Sequence, residues 1–203
     1  MAKKRIGIYG GTFSPPHIGH VGAAESFSLT VNPDELLIMP DFLPPHKEIC
    51  GKVSAEDRLE MSRLAFGHIK NAVISDMEIK RGGRSYTSVT LEELSKDDRE
   101  LYFLCGTDMF LTLGTWYRPE VIFKLATICY ARRENDAEKS RLIEELTREY
   151  RERFDAKIIP INLSVREVSS SELREYLRVS SEKASELLPP SVYSYIVNRG
   201  LYL

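Results

Sequence analysis

Short apolar, β-branched runs recur along this 203-residue chain at 5–9, 35–39, 72–75, 101–105, 126–130 and 157–161. Their hydrophobicity is near-continuous rather than alternating, the pattern of strands covered on both faces in a parallel sheet. Segments of helical character lie between them. Ser54-Ala55-Glu56-Asp57 supplies an N-cap and an acidic first turn ahead of Leu59, Met61, Leu64 and Ala65. Further helices are expected over about 88–94 and 137–153, the second so rich in charge that it reads as a solvated helix and nothing more. The alternation predicts an α/β fold: a doubly wound, mostly parallel sheet with helices on both faces. At this length one domain is expected, residues 1–203, with a C-terminal helical segment from about 169 to 203 packed on it.

The formal net charge is -2, so the overall field gives no reason to expect a nucleic-acid polymer as partner. Any phosphate binding has to come from a local cluster of donors. Cys50, Cys105 and Cys129 form no CxxC pair, and the last two end apolar runs where a small buried thiol is ordinary. The basic start MAKKR leads into an apolar stretch too short for a signal peptide, and no run is long enough to span a membrane. A cytoplasmic protein without membrane contact is the expectation.

In parallel sheets ligands gather at the carboxyl ends of the strands. There the first strand runs into Gly10-Gly11-Thr12-Phe13-Ser14-Pro15-Pro16-His17-Ile18-Gly19-His20. The glycines let backbone approach a ligand, and the helix opening near Ile18 offers N–H groups and a dipole to an anion. His17 and His20, three apart, can share one face of that turn and donate to a polyphosphate. No acidic or cysteine partner lies at metal-ligand spacing, so no protein metal site is expected. Near the C-terminus, Val168-Ser169-Ser170-Ser171-Glu172-Leu173-Arg174 brings hydroxyls, N–H groups and a guanidinium to the start of a helix over 172–177. Such an array suits phosphate oxygens. Taken alone, the first string could be a glycine turn with two solvated histidines and the second a plain N-cap.

Together the two strings resemble the paired signatures of the HxGH nucleotidyltransferase superfamily, HIGH at 17–20 and SSSELR in the place of ISSTxIR. Along most of the chain the resemblance is to bacterial nicotinate mononucleotide adenylyltransferases. Pro44-Pro45-His46-Lys47 is similar to their PPHK loop. Gly82-Gly83-Arg84-Ser85-Tyr86-Thr87 with Thr90-Leu91 resembles SYTxxTL, and Gly106-Thr107-Asp108 followed by Trp116 resembles GxD…W. Leu188-Pro189-Pro190-Ser191-Val192 and Gly200-Leu201-Tyr202 look like the closing helix and tail. Three positions depart from the pattern: Ser14 stands for the usual Asp or Asn, Ser171 for Thr, and Arg132-Arg133-Glu134 for an Arg-Pro-Gly turn.

The resemblance implies adenylyl transfer from ATP to nicotinate mononucleotide, giving nicotinate adenine dinucleotide and pyrophosphate, with Mg²⁺ carried by ATP. It implies that ATP meets Gly10, Gly11, Thr12, Phe13, His17, His20, Gly106, Asp108, Ser169, Ser170, Ser171 and Arg174. The mononucleotide would meet Thr12, His46, Lys47, Ser85, Tyr86, Thr87, Asp108, Trp116, Tyr117 and Arg132, with Trp116 stacked on the pyridine ring. His17, His20, Lys47 and Arg174 are the expected catalytic residues. They would act by positioning and charge stabilisation, because the attacking phosphate is already anionic. A nicotinamide-preferring relative, another HxGH transferase such as phosphopantetheine adenylyltransferase, and a non-catalytic nucleotide sensor stand as alternatives. The oligomeric state is open.

Overall fold

In the computed structural model, which describes residues 2–45, 53–132, 137–163, 168–179 and 181–202, successive residues of the second strand serve opposite cores. Leu36 and Ile38 are buried in one apolar layer, Leu37 and Met39 in another. This two-sided burial is what the unbroken apolar runs require. The strands are β1 (Lys4–Gly11), β2 (Glu35–Pro40), β3 (Ala72–Ile74), β4 (Arg99–Gly106), β5 (Ala126–Arg132) and β6 (Ile158–Asn162). They form one sheet in the order β3-β2-β1-β4-β5-β6, and every neighbouring pair is parallel. All six expected strands are present. The order reverses between β1 and β4, which opens a crevice beyond their carboxyl ends.

The helices are α1 (Ile18–Val31), α2 (Ala55–Phe66), α3 (Met77–Arg81), α4 (Thr87–Leu94), α5 (Thr107–Thr112), α6 (Pro119–Leu125) and α7 (Ala137–Phe154). After β6 come α8 (Ser170–Val179), α9 (Ser181–Leu187) and α10 (Pro190–Arg199). α1, α2, α8 and α10 contribute to the layer that holds Tyr9, Leu104 and Cys129; α4, α5, α6 and α7 contribute to the other. Gly7 lets α1 approach the sheet, since a Cβ there would come within 2.9 Å of the Phe27 ring. Cys105 and Cys129 are buried thiols, and burial pushes both pKa values up, that of Cys129 to about 12. Cys50 lies outside the described residues. Among the described residues no helix is long and apolar enough to cross a membrane.

Two features depart from the sequence reading. α8 starts at Ser170, two residues before the expected 172, because the hydroxyl of Ser169 accepts the Ser171 N–H at 3.3 Å and caps the helix there. α7 is more than a solvated helix: Ile143 and Tyr150 are buried, and Leu146 and Phe154 pack beside them. The Tyr150 hydroxyl donates to the Phe110 carbonyl and accepts the Gly114 N–H, both at 3.1 Å, which ties α7 to the turn after α5.

The C-terminal helices share the first layer through Leu173, Leu177, Ala184, Leu188, Val192 and Ile196. Asp57 joins them to the capping box that opens α2: it accepts the Ser54 hydroxyl at 2.8 Å, the Tyr195 hydroxyl at 2.8 Å and Arg199 at 3.1 Å. Burial pushes the Asp57 carboxyl up, but these bonds outweigh it and hold its pKa below the ordinary value. Gly114 allows the close approach of α7, since a Cβ there would lie 2.8 Å from the Tyr150 ring. Gly114→Ala should therefore cost about 1–3 kcal/mol, as overpacking does in a filled interior. Urea unfolding measures it, and a loss below about 0.5 kcal/mol, within the range of ordinary surface changes, would mean that the ring yields.

Candidate functional site

The glycine-rich turn after β1 is built by its own side chains. His17 is the N-cap of α1 in an extended conformation, and its Nδ1 accepts the His20 N–H at 3.3 Å while the Nδ1 of His20 accepts the His17 N–H at 3.3 Å. This is a capping box made of two imidazoles. Their rings stack with centroids 3.6 Å apart. A neutral imidazole that accepts at Nδ1 carries its proton at Nε2, so both rings are set as Nε2–H donors. Phe13, at φ 46°, turns its ring inward against Tyr9, Phe66 and the edge of His20, with centroids 5.3 Å apart in the last pair. Gly11 faces that ring, and a Cβ there would meet it at 3.1 Å. Crowding by Phe13, rather than a ligand, thus already accounts for this glycine.

The second motif docks on the first. Arg174 donates to the Ser14 carbonyl at 2.9 Å and to the Ser171 hydroxyl at 3.0 Å, and Ser170 donates to the Pro15 carbonyl at 3.4 Å. The Ser14 hydroxyl is bonded to the Tyr202 hydroxyl at 2.9 Å. Burial pushes the Tyr202 pKa up to about 12. The N-termini of α1 and α8 and one guanidinium therefore converge, an arrangement that attracts anions.

A cleft of about 560 Å³ opens here, lined at one end by Gly10, Gly11, Thr12, His17, His20, Ser169, Ser170, Ser171 and Arg174. Volumes of this order hold small ligands. Gly106 and Asp108 line it at the end of β4, and no atom stands within 4 Å of a Cβ added at Gly106. Gly106 has φ -69°, so neither backbone strain nor protein crowding calls for glycine there; a side chain would instead take up open space. Asp108 is exposed, with its carboxylate 3.5 Å from Lys139.

Ser85, Tyr86, Thr87, Thr90, Trp116 and Tyr117 line the same cleft. Trp116 donates Nε1–H to the Thr112 hydroxyl at 3.3 Å and meets Phe103 edge to face. Tyr117 packs on Tyr86 with centroids 4.6 Å apart. Arg118, two residues after Trp116, makes two 2.8 Å bonds to Glu92 of α4, which ties the Trp116 loop to the helix starting at Thr87. Hydrogen bonding to Glu92 raises the Arg118 pKa. Arg132 does not join the others: it is exposed at the end of β5 and is absent from the cleft lining. His46 and Lys47 lie outside the described residues.

Three buried charged residues under the cleft escaped the sequence reading. Arg58, 1% exposed, donates to the Thr12 carbonyl at 3.0 Å, Asp41 at 3.0 Å and the Phe42 carbonyl at 3.2 Å. The Thr12 hydroxyl also donates to Asp41, at 2.8 Å. Glu78 is buried beside Ser85 and Thr90 and lines the cleft. The Ser85 hydroxyl accepts the Phe42 N–H at 2.9 Å, so it is a structural group as much as a ligand donor. Among the described residues no three His, Cys, Asp or Glu side chains stand together as a metal site would need.

The model of the cytidylyltransferase-like family matches residues 8–176, which include both motifs and the cleft between them. The chain belongs to that family. Within it, the chain is 36% identical to a probable nicotinate-nucleotide adenylyltransferase of Desulfatibacillum aliphaticivorans, over 98% of this chain and 100% of the other. It is 35% identical, with the same coverage, to a probable nicotinate-nucleotide adenylyltransferase of Lachnoclostridium phytofermentans. Among solved structures, nicotinic acid mononucleotide adenylyltransferase of Plasmodium falciparum shares the fold. Its complex with NaAD superposes with a TM-score of 0.77 at 19% identity, over 98% of this chain and 97% of that one. Its complex with APC gives 0.74 at the same identity and coverage.

The buried Arg58–Asp41 pair holds the family's glycine turn from below. Arg58→Ala should cost about 3–5 kcal/mol, because removing one partner of a buried pair leaves the other charge uncompensated. Equilibrium denaturation reads this directly, and a cost under about 1 kcal/mol, typical of surface pairs, would mean that water replaces the guanidinium.

Proposed function

We propose that the protein transfers the adenylyl group of ATP to nicotinate mononucleotide, releasing pyrophosphate and forming nicotinate adenine dinucleotide. The observation that carries this reading is the docking of Arg174 and Ser170 onto the carbonyls of Ser14 and Pro15, which faces two helix N-termini and the imidazole pair toward one cleft. The names of the full-length relatives supply the substrates.

A phosphate oxygen of the mononucleotide attacks the α-phosphorus of ATP; the bond to the bridging oxygen breaks, and pyrophosphate leaves with that electron pair. No base is required, since the nucleophile is an anion. What the protein adds is position and charge stabilisation. His17 and His20 donate from Nε2 to phosphate oxygens, joined by the backbone N–H of Ser170 at the start of α8 and by Arg174, which spends two of its five N–H donors on Ser14 and Ser171. Mg²⁺ enters as part of the nucleotide substrate. We assign the Gly106–Asp108 end to the ribose and Trp116 to the pyridine ring, with His46 and Lys47 meeting phosphate. The compartment that fits these substrates is the cytoplasm.

At the ring substituent the donors are fewer than the sequence offered, because the Ser85 hydroxyl proton is drawn toward the buried Glu78 carboxylate. Thr87 remains, together with the first N–H groups of α4, which by helix geometry have no intrahelical acceptor. A carboxylate accepts all of these, whereas an amide leaves its NH₂ mispaired at a cost of about 1–3 kcal/mol. Mixing ATP with either mononucleotide and following pyrophosphate should therefore give a kcat/KM at least about tenfold higher for nicotinate. Equal values would refute the preference, and no pyrophosphate from either would refute the reaction.

Trp116 is anchored at its edge by Thr112 and Phe103, which keeps the ring ordered before any ligand arrives. Losing a stacked ring costs roughly 1–3 kcal/mol, so Trp116→Ala should raise KM for the mononucleotide about tenfold and leave KM for ATP nearly unchanged. Parallel changes in both constants would mean that Trp116 serves packing alone.

A further inference from the structure

Glu78 is an acid at the wall of the cleft that the proposed chemistry leaves without a task. It is 7% exposed, a cost that a carboxylate bears only with partners. Its Oε1 accepts the Thr90 hydroxyl at 2.5 Å, and Ser85 stands beside it, close enough to favour its charged form. Arg81 lies 3.6 Å away, donates to the Thr90 hydroxyl at 2.9 Å and reaches Glu93 at 3.0 Å. Burial pushes the Glu78 carboxyl above its ordinary value, with Asp41 adding to the rise and Thr90, Ser85 and Arg81 opposing it.

A carboxylate can accept and cannot donate, so Glu78 takes the proton of the Thr90 hydroxyl and draws that of Ser85 toward it. Each hydroxyl then has its lone pairs for a fixed neighbour: Arg81 for Thr90, the Phe42 N–H for Ser85. Thr90 lies three residues after Thr87, on the same side of α4, and Ser85 lies two before it. Two anchors thus bracket the turn that opens α4. The same Ser85 is tied to the segment that follows β2, where the Leu43 carbonyl accepts the Ser85 N–H at 2.9 Å. Among the described residues, Glu78 reaches both sides of that turn.

We propose that Glu78 is a positioning residue for the mononucleotide end of the cleft, holding the Tyr86–Thr87 turn in register with Trp116. This rests on the adenylyl-transfer reading given above. A merely structural acid would lower stability and shift every kinetic constant together, whereas a positioning acid separates the two substrates. Glu78→Ala should raise KM for nicotinate mononucleotide about tenfold or more, with kcat and KM for ATP within about threefold of the unaltered enzyme. Glu78→Gln, which keeps an acceptor of the same shape, should recover most of the loss and leave about a threefold rise. Quenching of the lone tryptophan, Trp116, during mononucleotide titration gives a second readout at that end.

Both KM values moving in parallel in Glu78→Ala, or neither moving, overturns the inference while pyrophosphate release by the unaltered enzyme leaves the reaction standing. If Glu78→Ala fails to fold by circular dichroism, Glu78→Gln decides: a rise confined to the mononucleotide supports positioning, and equal movement rejects it. An unaltered protein that does not turn over nicotinate mononucleotide removes the basis of the inference altogether.

Discussion

At Ser14 and Pro15 the chain hands two backbone carbonyls to residues 160 and 155 positions further on. This exchange is what the site depends on. Backbone carbonyls in a tight turn need donors, and here the donors come from the opening of α8, so the turn and that helix are completed together. The consequence is electrostatic. Two helix N-termini, each carrying a partial positive charge, are brought together beside a guanidinium. Nothing in helix packing favours such a meeting, and an anion between them relieves it.

Beneath this positive rim the floor of the cleft is paired and close to neutral. Asp41 faces Arg58, and Glu78 faces Arg81. Buried ions repay their desolvation only when further hydrogen bonds complete them. Thr12 and two carbonyls do this for the first pair, the Thr90 hydroxyl for the second. The completion is not total, since the buried Nε of Arg58 has no partner among the described residues. Both pairs nevertheless bond cleft-lining residues, Thr12 in one case and Thr90 in the other. Rigidity at the floor is thereby passed to the groups that line the cleft, which preorganisation requires.

The sheet was legible because buried parallel strands leave an unbroken apolar run, a signal that charge elsewhere cannot hide. α7 was misjudged although its stripe was present: Ile143, Leu146, Tyr150 and Phe154 follow helical spacing, masked by the many charges on the other face. α3, α6 and α9 run for five, seven and seven residues, too short for a period to register. The site was legible where its residues are contiguous, as in the two motifs, and obscure where pairing is long-range. Asp41 and Arg58 stand 17 apart, and Arg58 sits in a helix whose Glu56 and Arg63 are exposed. Ser85 was seen but its partner was not, because a hydroxyl in a sequence does not disclose which way its proton points. Arg132 belonged to a segment that departs from the family pattern, and the end of β5 leaves it outside the cleft.

In the proposed reaction His17 and His20 join folding to chemistry. Most N-caps use a short oxygen side chain, which satisfies an N–H group and has nothing left to offer. An imidazole has a second nitrogen on the far side of the ring. By accepting at Nδ1, each ring caps the helix and in the same act fixes its own tautomer, with the proton at Nε2. The stack and the edge of Phe13 then fix the ring planes. The two donors are therefore set by the bonds that start α1, before any substrate is present, and the cost of orienting them is part of folding rather than of the reaction.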